Sequence, residues 1–297
     1  MRQETGSGPE KVRALLHSGE FGTKLTAVEL PKEIEVYRDK LWRREEVLRI
    51  TDAADGEALV NDVGFCLGLT DARTPLPSFF VAVCGRRDAY SPKNVQKDPE
   101  ASSAWLLKDE VMRRGRVYYS KLAKGRATFV ARHLIPHFHS IYGVPREEES
   151  SKLSGPANRI LEVLRNEWES STADLKKDAG IEDRKDLTKA LDELQKCMKV
   201  VPYEVLYEPK FTYLWTLAEE RFPKEIAKEV RRDEALVEIA RAFLTMCGMT
   251  LKGELSKAIG VSRPDAGAAN ARLVEEGFAV RVSPGVYRLG SIPWQIQ

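Results

Sequence analysis

Between residues 108 and 132 the chain carries eight basic side chains: Lys108, Arg113, Arg114, Arg116, Lys121, Lys124, Arg126 and Arg132. Only Asp109 and Glu110 oppose them within that stretch. Trp105, Tyr118, Tyr119 and Phe129 are interleaved. Cations alternating with aromatic rings on a hairpin could grip a phosphate backbone and stack on an exposed base. Arg86 and Arg87, just upstream, would extend the patch. The competing reading is a solvated hairpin whose rings turn into a core, and the residues leave both open.

His133, His137 and His139 crowd together next to it. On a helix His133 and His137 would share a face, as metal ligands do. Pro136 disturbs that spacing, and no cysteine or paired carboxylate stands beside them, so packing histidines and no metal are expected. The chain has no GxSxG, P-loop, HExxH or GxGxxG. No cofactor is expected.

The elements that would carry these residues are mainly helices. Residues 10–16 suggest a short helix and 31–48 a longer one, with 47–50 passing into an extended segment. Residues 58–68 form an apolar, buried run. Residues 78–84, SFFVAVC, suit a strand or a helix capped by Ser78; helix is the expectation. Residues 88–99 read as a loop and 101–114 as a helix stopped by Gly115. Residues 116–119 and 127–131 flank the turn-prone Lys124–Gly125 as a hairpin, and 136–142 as a short helix.

Beyond a charged, serine-rich stretch at 147–152, the pattern becomes regular. Amphipathic helices at 156–168, 173–179 and 184–198 precede strands at 200–207 and 211–217. Helices at 233–245, 251–259 and 263–276 precede strands at 278–282 and 286–289. Residues 224–232 suggest a helical linker. Helix, helix, helix, strand, wing, strand is the winged-helix order. In a helix-turn-helix the start of the third helix faces the bases. Those helices would present Arg184, Lys185 and Lys189 in one copy, and Arg263, Asn270 and Arg272 in the other. The wings would add Lys210 and Arg281 or Arg288. The Ala266–Gly267–Ala268–Ala269 run favours close packing as much as readout.

Composition limits these readings. With 297 residues the chain has room for two or three domains, and its net charge is +2. Any electrostatic footprint must therefore come from local clustering. No stretch is apolar enough to span a bilayer, and the N-terminus lacks the apolar core of a signal peptide, so a cytoplasmic protein is expected. The four cysteines, Cys66, Cys84, Cys197 and Cys247, form no CxxC pair and read as small core residues.

Residues 115–143, GRVYYSKLAKGRATFVARHLIPHFHSIYG, now take on meaning. This stretch resembles the basic strand, turn, apolar strand and short helix of a bacterial family of winged-helix DNA-binding proteins. That family includes the YcaQ/AlkZ-type DNA glycosylases, which excise alkylated and crosslinked bases. Residues 160–222, ending YLWTLAEERF, resemble the winged helix that follows there. Residues 235–289 match a further one, and SFFVAVCGRR at 78–87 sits where the family has an early helix ending in Arg. The family glycosylases carry a Gln-x-Gln or Gln-x-Asp motif before that helix. Here the corresponding stretch is Asn61–Asp62–Val63–Gly64–Phe65–Cys66, with no Gln. The resemblance leaves Asp62 as a general base and Asn61 to orient a water, although the catalytic register falls nearer the apolar 63–66. Within these residues the family's C-terminal β-barrel is not expected after Leu289.

These readings give a mainly α chain with small β-hairpins (α+β) and tandem winged-helix domains. The expected organisation is a helical segment at 1–57, a diverged winged-helix-like region with the basic hairpin at 58–150, and winged helices at 151–223 and 224–297. The expected function is binding of double-stranded DNA, in repair or transcriptional regulation, rather than catalysis. A glycosylase for alkylated or crosslinked bases and a winged-helix protein scaffold are the alternatives.

Overall fold

The computed structural model describes residues 30–70, 75–90, 92–94 and 97–292. The expected helix at 10–16 lies outside these, as do parts of the turn at 74–77 and of the loop at 88–99. An entry helix, α1 (Lys32–Leu41), precedes three copies of one small fold. The expected helix over 31–48 ends at Leu41 because Arg43 takes a positive φ of 54°. Residues Glu46–Leu48, expected to end that helix, form a separate 3-10 turn.

The first copy is α2 (Ala53–Val63), β1 (Phe65–Leu67), α3 (Phe79–Cys84), α4 (Pro99–Arg114), β2 (Tyr118–Lys121) and β3 (Ala127–Val130). Helices α5 (Ile135–Tyr142) and α6 (Glu149–Lys152) lead on. The second copy is α7 (Gly155–Glu167), β4 (Glu169–Ser171), α8 (Thr172–Asp178), α9 (Arg184–Lys196), β5 (Val200–Leu206) and β6 (Thr212–Leu217). Short helices α10 (Ala218–Arg221) and α11 (Pro223–Ile226) follow, so the expected linker helix is shorter than 224–232. The third copy is α12 (Arg232–Cys247), β7 (Met249–Thr250), α13 (Glu254–Ile259), α14 (Arg263–Glu275), β8 (Ala279–Ser283) and β9 (Val286–Leu289). Each sheet is antiparallel with its third strand in the centre: β1-β3-β2, β4-β6-β5 and β7-β9-β8.

Local chemistry explains the helix starts. Asp52, Ser154, Asp98, Asp183 and Ser262 each cap a helix by accepting from a backbone N–H in its first turn. Helices α4, α7 and α14 also carry proline in the first turn, where its missing N–H costs nothing.

Packing then groups the copies unequally. The second copy closes around its own core, including Ile160, Leu164, Leu187, Leu194 and Trp215. The first and third share one continuous core, in which the Phe65 ring lies 5.3 Å from Phe138 and 6.5 Å from Phe243. Gly64 permits that junction. It joins α2 to β1 at φ 79°, and a Cβ there would meet Ala242 of α12 at 3.2 Å and Leu134 at 2.9 Å.

Helix α1 fastens the end of α12. The last carbonyls of a helix have no intrahelical donor. Tyr37 donates to the Thr245 carbonyl at 2.6 Å and Trp42 Nε1 to Met246 at 2.6 Å. Buried Arg38 donates to Cys247 at 2.8 Å and to Met249 at 2.7 Å. The Arg44 guanidinium stacks 4.1 Å from the Trp42 ring centre. Arg38→Ala would leave two buried carbonyls without this donor and is expected to destabilise the fold by about 3 kcal/mol. Denaturant unfolding checks this, and a loss below about 1 kcal/mol would mean that water replaces the arginine.

Candidate nucleic-acid interface

In each copy the third helix and the turn between the last two strands carry residues expected from the sequence to face DNA. The first copy's third helix, α4, is held against the second copy. Lys108 and Asp109 are each 1% exposed. Lys108 Nζ lies 2.5 Å from Asp109 Oδ1, donates to the Tyr213 hydroxyl at 2.8 Å, and stands 4.2 Å from the Trp105 ring centre. The Tyr207 hydroxyl donates to Asp109 Oδ2 at 2.7 Å. Burial pushes the Lys108 ammonium below the usual lysine range, and Asp109 opposes that shift. Tyr207 and Tyr213 flank or belong to the β5–β6 hairpin, so the second copy's wing covers α4.

Most of the expected basic patch is neutralised by carboxylates distant in sequence. Arg86 pairs with Glu100, and Arg87 with Asp39 and Glu35. Arg113 pairs with Glu204, and Arg114 and Arg116 share buried Glu57. Lys121 pairs with Asp192, and Arg132 with Glu225. Tyr118 and Phe129 are wholly buried, so they belong to the core and not to a stacking surface. Lys124 and Arg126 differ. Both are exposed on the β2–β3 turn, and neither has an ion pair among the described residues.

The other third helices divide the same way. Arg184 and Lys185 are exposed at the start of α9, and Arg263 at the start of α14, again without an ion pair among the described residues. Lys189 pairs with Asp186 at 3.2 Å, and Arg272 lies 3.3 Å from Glu276 and 3.9 Å from Asp233. Asn270, expected to face bases, is instead buried, with its Oδ1 unpartnered. Arg288, expected near phosphate, is buried and paired with Glu33 at 3.2 Å. Lys210 lies in an open groove of about 530 Å³ lined by Glu167, Glu169, Asp174, Asp178 and Glu208, which would repel phosphate.

A family model described as AlkZ related matches residues 50–260. The chain belongs to the AlkZ-related family. It is similar to the solved structure of the DNA glycosylase AlkZ from Streptomyces sahachiroi, at 14% identity and a TM-score of 0.49, covering 88% of this chain and 70% of that one. It is also similar to the DIP2311 protein from Corynebacterium diphtheriae, at 16% identity and a TM-score of 0.20, covering 64% of this chain and 39% of that one. No curated protein matches it.

In this AlkZ-related chain the stretch 61–66 splits in two. Asn61 and Asp62 are exposed near the end of α2, and Asp62 lies 3.5 Å from Arg43. Val63, Gly64, Phe65 and Cys66 are buried. Phe65 and Cys66 line a small, partly open apolar cavity of about 10 Å³ together with Leu67, Leu122, Phe138 and Ile259. That space holds no more than a water, and its walls offer little to bind one. Among the described residues no group of three His, Cys, Asp or Glu gathers as a metal set, and no helix is long and apolar enough to cross a membrane.

Burial holds the His137 and His139 imidazoles below the usual histidine range. Each binds fewer protons folded than unfolded, so stability should fall as the pH drops below about 6.5. Unfolding free energies between about pH 7.5 and 5 check this, with a shallower fall expected in His139→Gln. The Lys108 site yields a second expectation. Asp109→Asn leaves an ammonium buried without its counter-charge and should cost about 3–5 kcal/mol in denaturant unfolding. A neutral result would show that the wing moves aside and wets the site.

Proposed function

We propose that this AlkZ-related protein binds double-stranded DNA in a repair-related role, through phosphate contacts from its wings and third helices. One observation carries this reading. Of the cations expected at the interface, Lys124 and Arg126 on the first wing and Arg184, Lys185 and Arg263 at the starts of third helices are exposed and have no ion pair among the described residues. Those are the positions at which a winged helix approaches DNA.

A binder is favoured over a glycosylase by the stretch 63–66. A base-excising enzyme needs a polar group placed against a water beside the sugar. Here that register is packed with apolar side chains, and the carboxylate of Asp62 lies outside the cavity beside Arg43.

Titrating salt against duplex-DNA affinity tests the reading. The logarithm of the association constant should fall with log salt, by about 0.9 per phosphate contacted. Replacing both Arg184 and Lys185 by Ala should reduce that slope by about 1.8. Absence of binding at low salt would sink the proposal. Alkylated duplex incubated with the protein should yield no abasic sites; base release that is lost in Asp62→Asn would restore the enzyme reading.

A further inference from the structure

We propose that Lys196 of the second copy joins Lys124 and Arg126 of the first copy's wing to hold a single DNA phosphate across two modules, an inference that rests on the DNA-binding reading above. Lys196 lies in the last turn of α9 and is exposed. Its natural helical partners, three and four residues back, are Glu193 and Asp192. Both are engaged elsewhere. Asp192 takes the Lys121 ammonium at 2.6 Å. Glu193 accepts from the Ser154 hydroxyl at 2.5 Å and from its backbone N–H at 3.0 Å. Lys196 therefore has no ion pair among the described residues.

The wing is pressed against this lysine. A Cβ built on Gly125 would meet Lys196 Cε at 3.3 Å and Nζ at 3.8 Å. The approach is fixed by polar contacts to the buried Gln195. Its carbonyl accepts from the Ser120 hydroxyl at 3.4 Å, and its Oε1 from the Lys121 N–H at 3.3 Å. Lys124 occupies the left-handed region at φ 57°, next to Gly125 at φ 67°. The third copy flanks the same point: a Cβ on Gly260, in the turn before α14, would lie 3.8 Å from Ala123. The helix dipole favours a cation in the last turn of α9, which accounts for Lys196 alone. It does not account for setting that cation against a wing whose own cations are unpaired. Neighbouring like charges repel, the nearby Asp192 and Glu193 are taken by Lys121 and Ser154, and an anion between the cations removes the repulsion. The missing Cβ at Gly125 lets the Lys196 side chain lie against the turn. The shared chemistry is that of a phosphate group, and the source proposed is the phosphodiester of duplex DNA.

The test uses the full chain and a plain duplex at several salt concentrations. Lys196→Gln and Lys124→Gln should each weaken binding several-fold and lower the salt slope by about 0.9. The double variant should lower it by little more than either alone, because both serve one phosphate. Lys196→Arg should retain the wild-type slope, and millimolar inorganic phosphate should compete weakly. Thermal unfolding of each variant should match the wild type. A wild-type slope in Lys196→Gln, alongside a reduced slope in Arg184→Gln, would overturn this inference and leave DNA binding standing. A double variant that loses about 1.8 would assign the two lysines to separate phosphates and overturn the shared grip. Inorganic phosphate that displaces the duplex as effectively as unlabelled DNA would make the free anion the ligand. No binding by the wild type would overturn both readings.

Discussion

An ammonium group taken out of water must find compensation nearby, and Lys108 is almost wholly out of water. Its compensation comes from Asp109 on its own helix, and from the Tyr213 hydroxyl and aromatic faces contributed partly by the second copy. That requirement holds the β5–β6 hairpin onto α4. The placement of α9 follows. With the second copy fastened along α4, Gln195 reaches Ser120 and Lys121, and the end of α9 stands beside the first wing. The charge layout of the molecule depends on this docking, because Arg113 and Lys121 find Glu204 and Asp192 only across it.

The α1 clamp does for the third copy what the lysine cage does for the second. Arg38, Trp42 and Tyr37 satisfy the end of α12, while α12 packs into the core it shares with α2 and α5. The three copies thus repeat one topology and differ in what secures them. A buried ion pair in a ring of aromatics fastens the second, and side-chain donors on helix carbonyls fasten the third.

Regular features of the fold were readable from residue patterns. Helical periodicity at 160–164 and 187–194, Ser262 before Pro264, and Gly115 after α4 predict elements that match the structure within a few residues. The strands β1, β4 and β7 were missed because two or three residues carry no period. The interface was less readable. Charge density along 108–132 suggested one broad cationic patch, since only Asp109 and Glu110 were visible as opposition. The real opposition comes from Glu57, Asp192, Glu204 and Glu225, which are distant in sequence and meet the patch only in the folded chain. The Lys124–Gly125 turn, flagged for its conformation, outlasted that cancellation. Lys196 could not be singled out, because its freedom depends on where Asp192 and Glu193 are spent.

What survives the cancellation constrains how any DNA would be read. Base recognition needs side chains that project donors and acceptors into a groove. On α14, Asn270 points inward and Ala266 and Ala269 pack. Arg263 is a long cation there without an ion pair among the described residues, and a Cβ on Gly267 would meet nothing within 4 Å. On α4 the face that a reader would use is covered by the second wing. On α9 the unpartnered cations sit at the start of the helix and at its end, beside a wing that is itself cationic. Cations that contact only phosphates position a protein on the backbone and carry no sequence information. On the proposed reading the protein would therefore discriminate DNA by shape and charge, and its repair-related role would depend on recognising a distorted backbone or on a partner that supplies the chemistry its own apolar cavity does not offer.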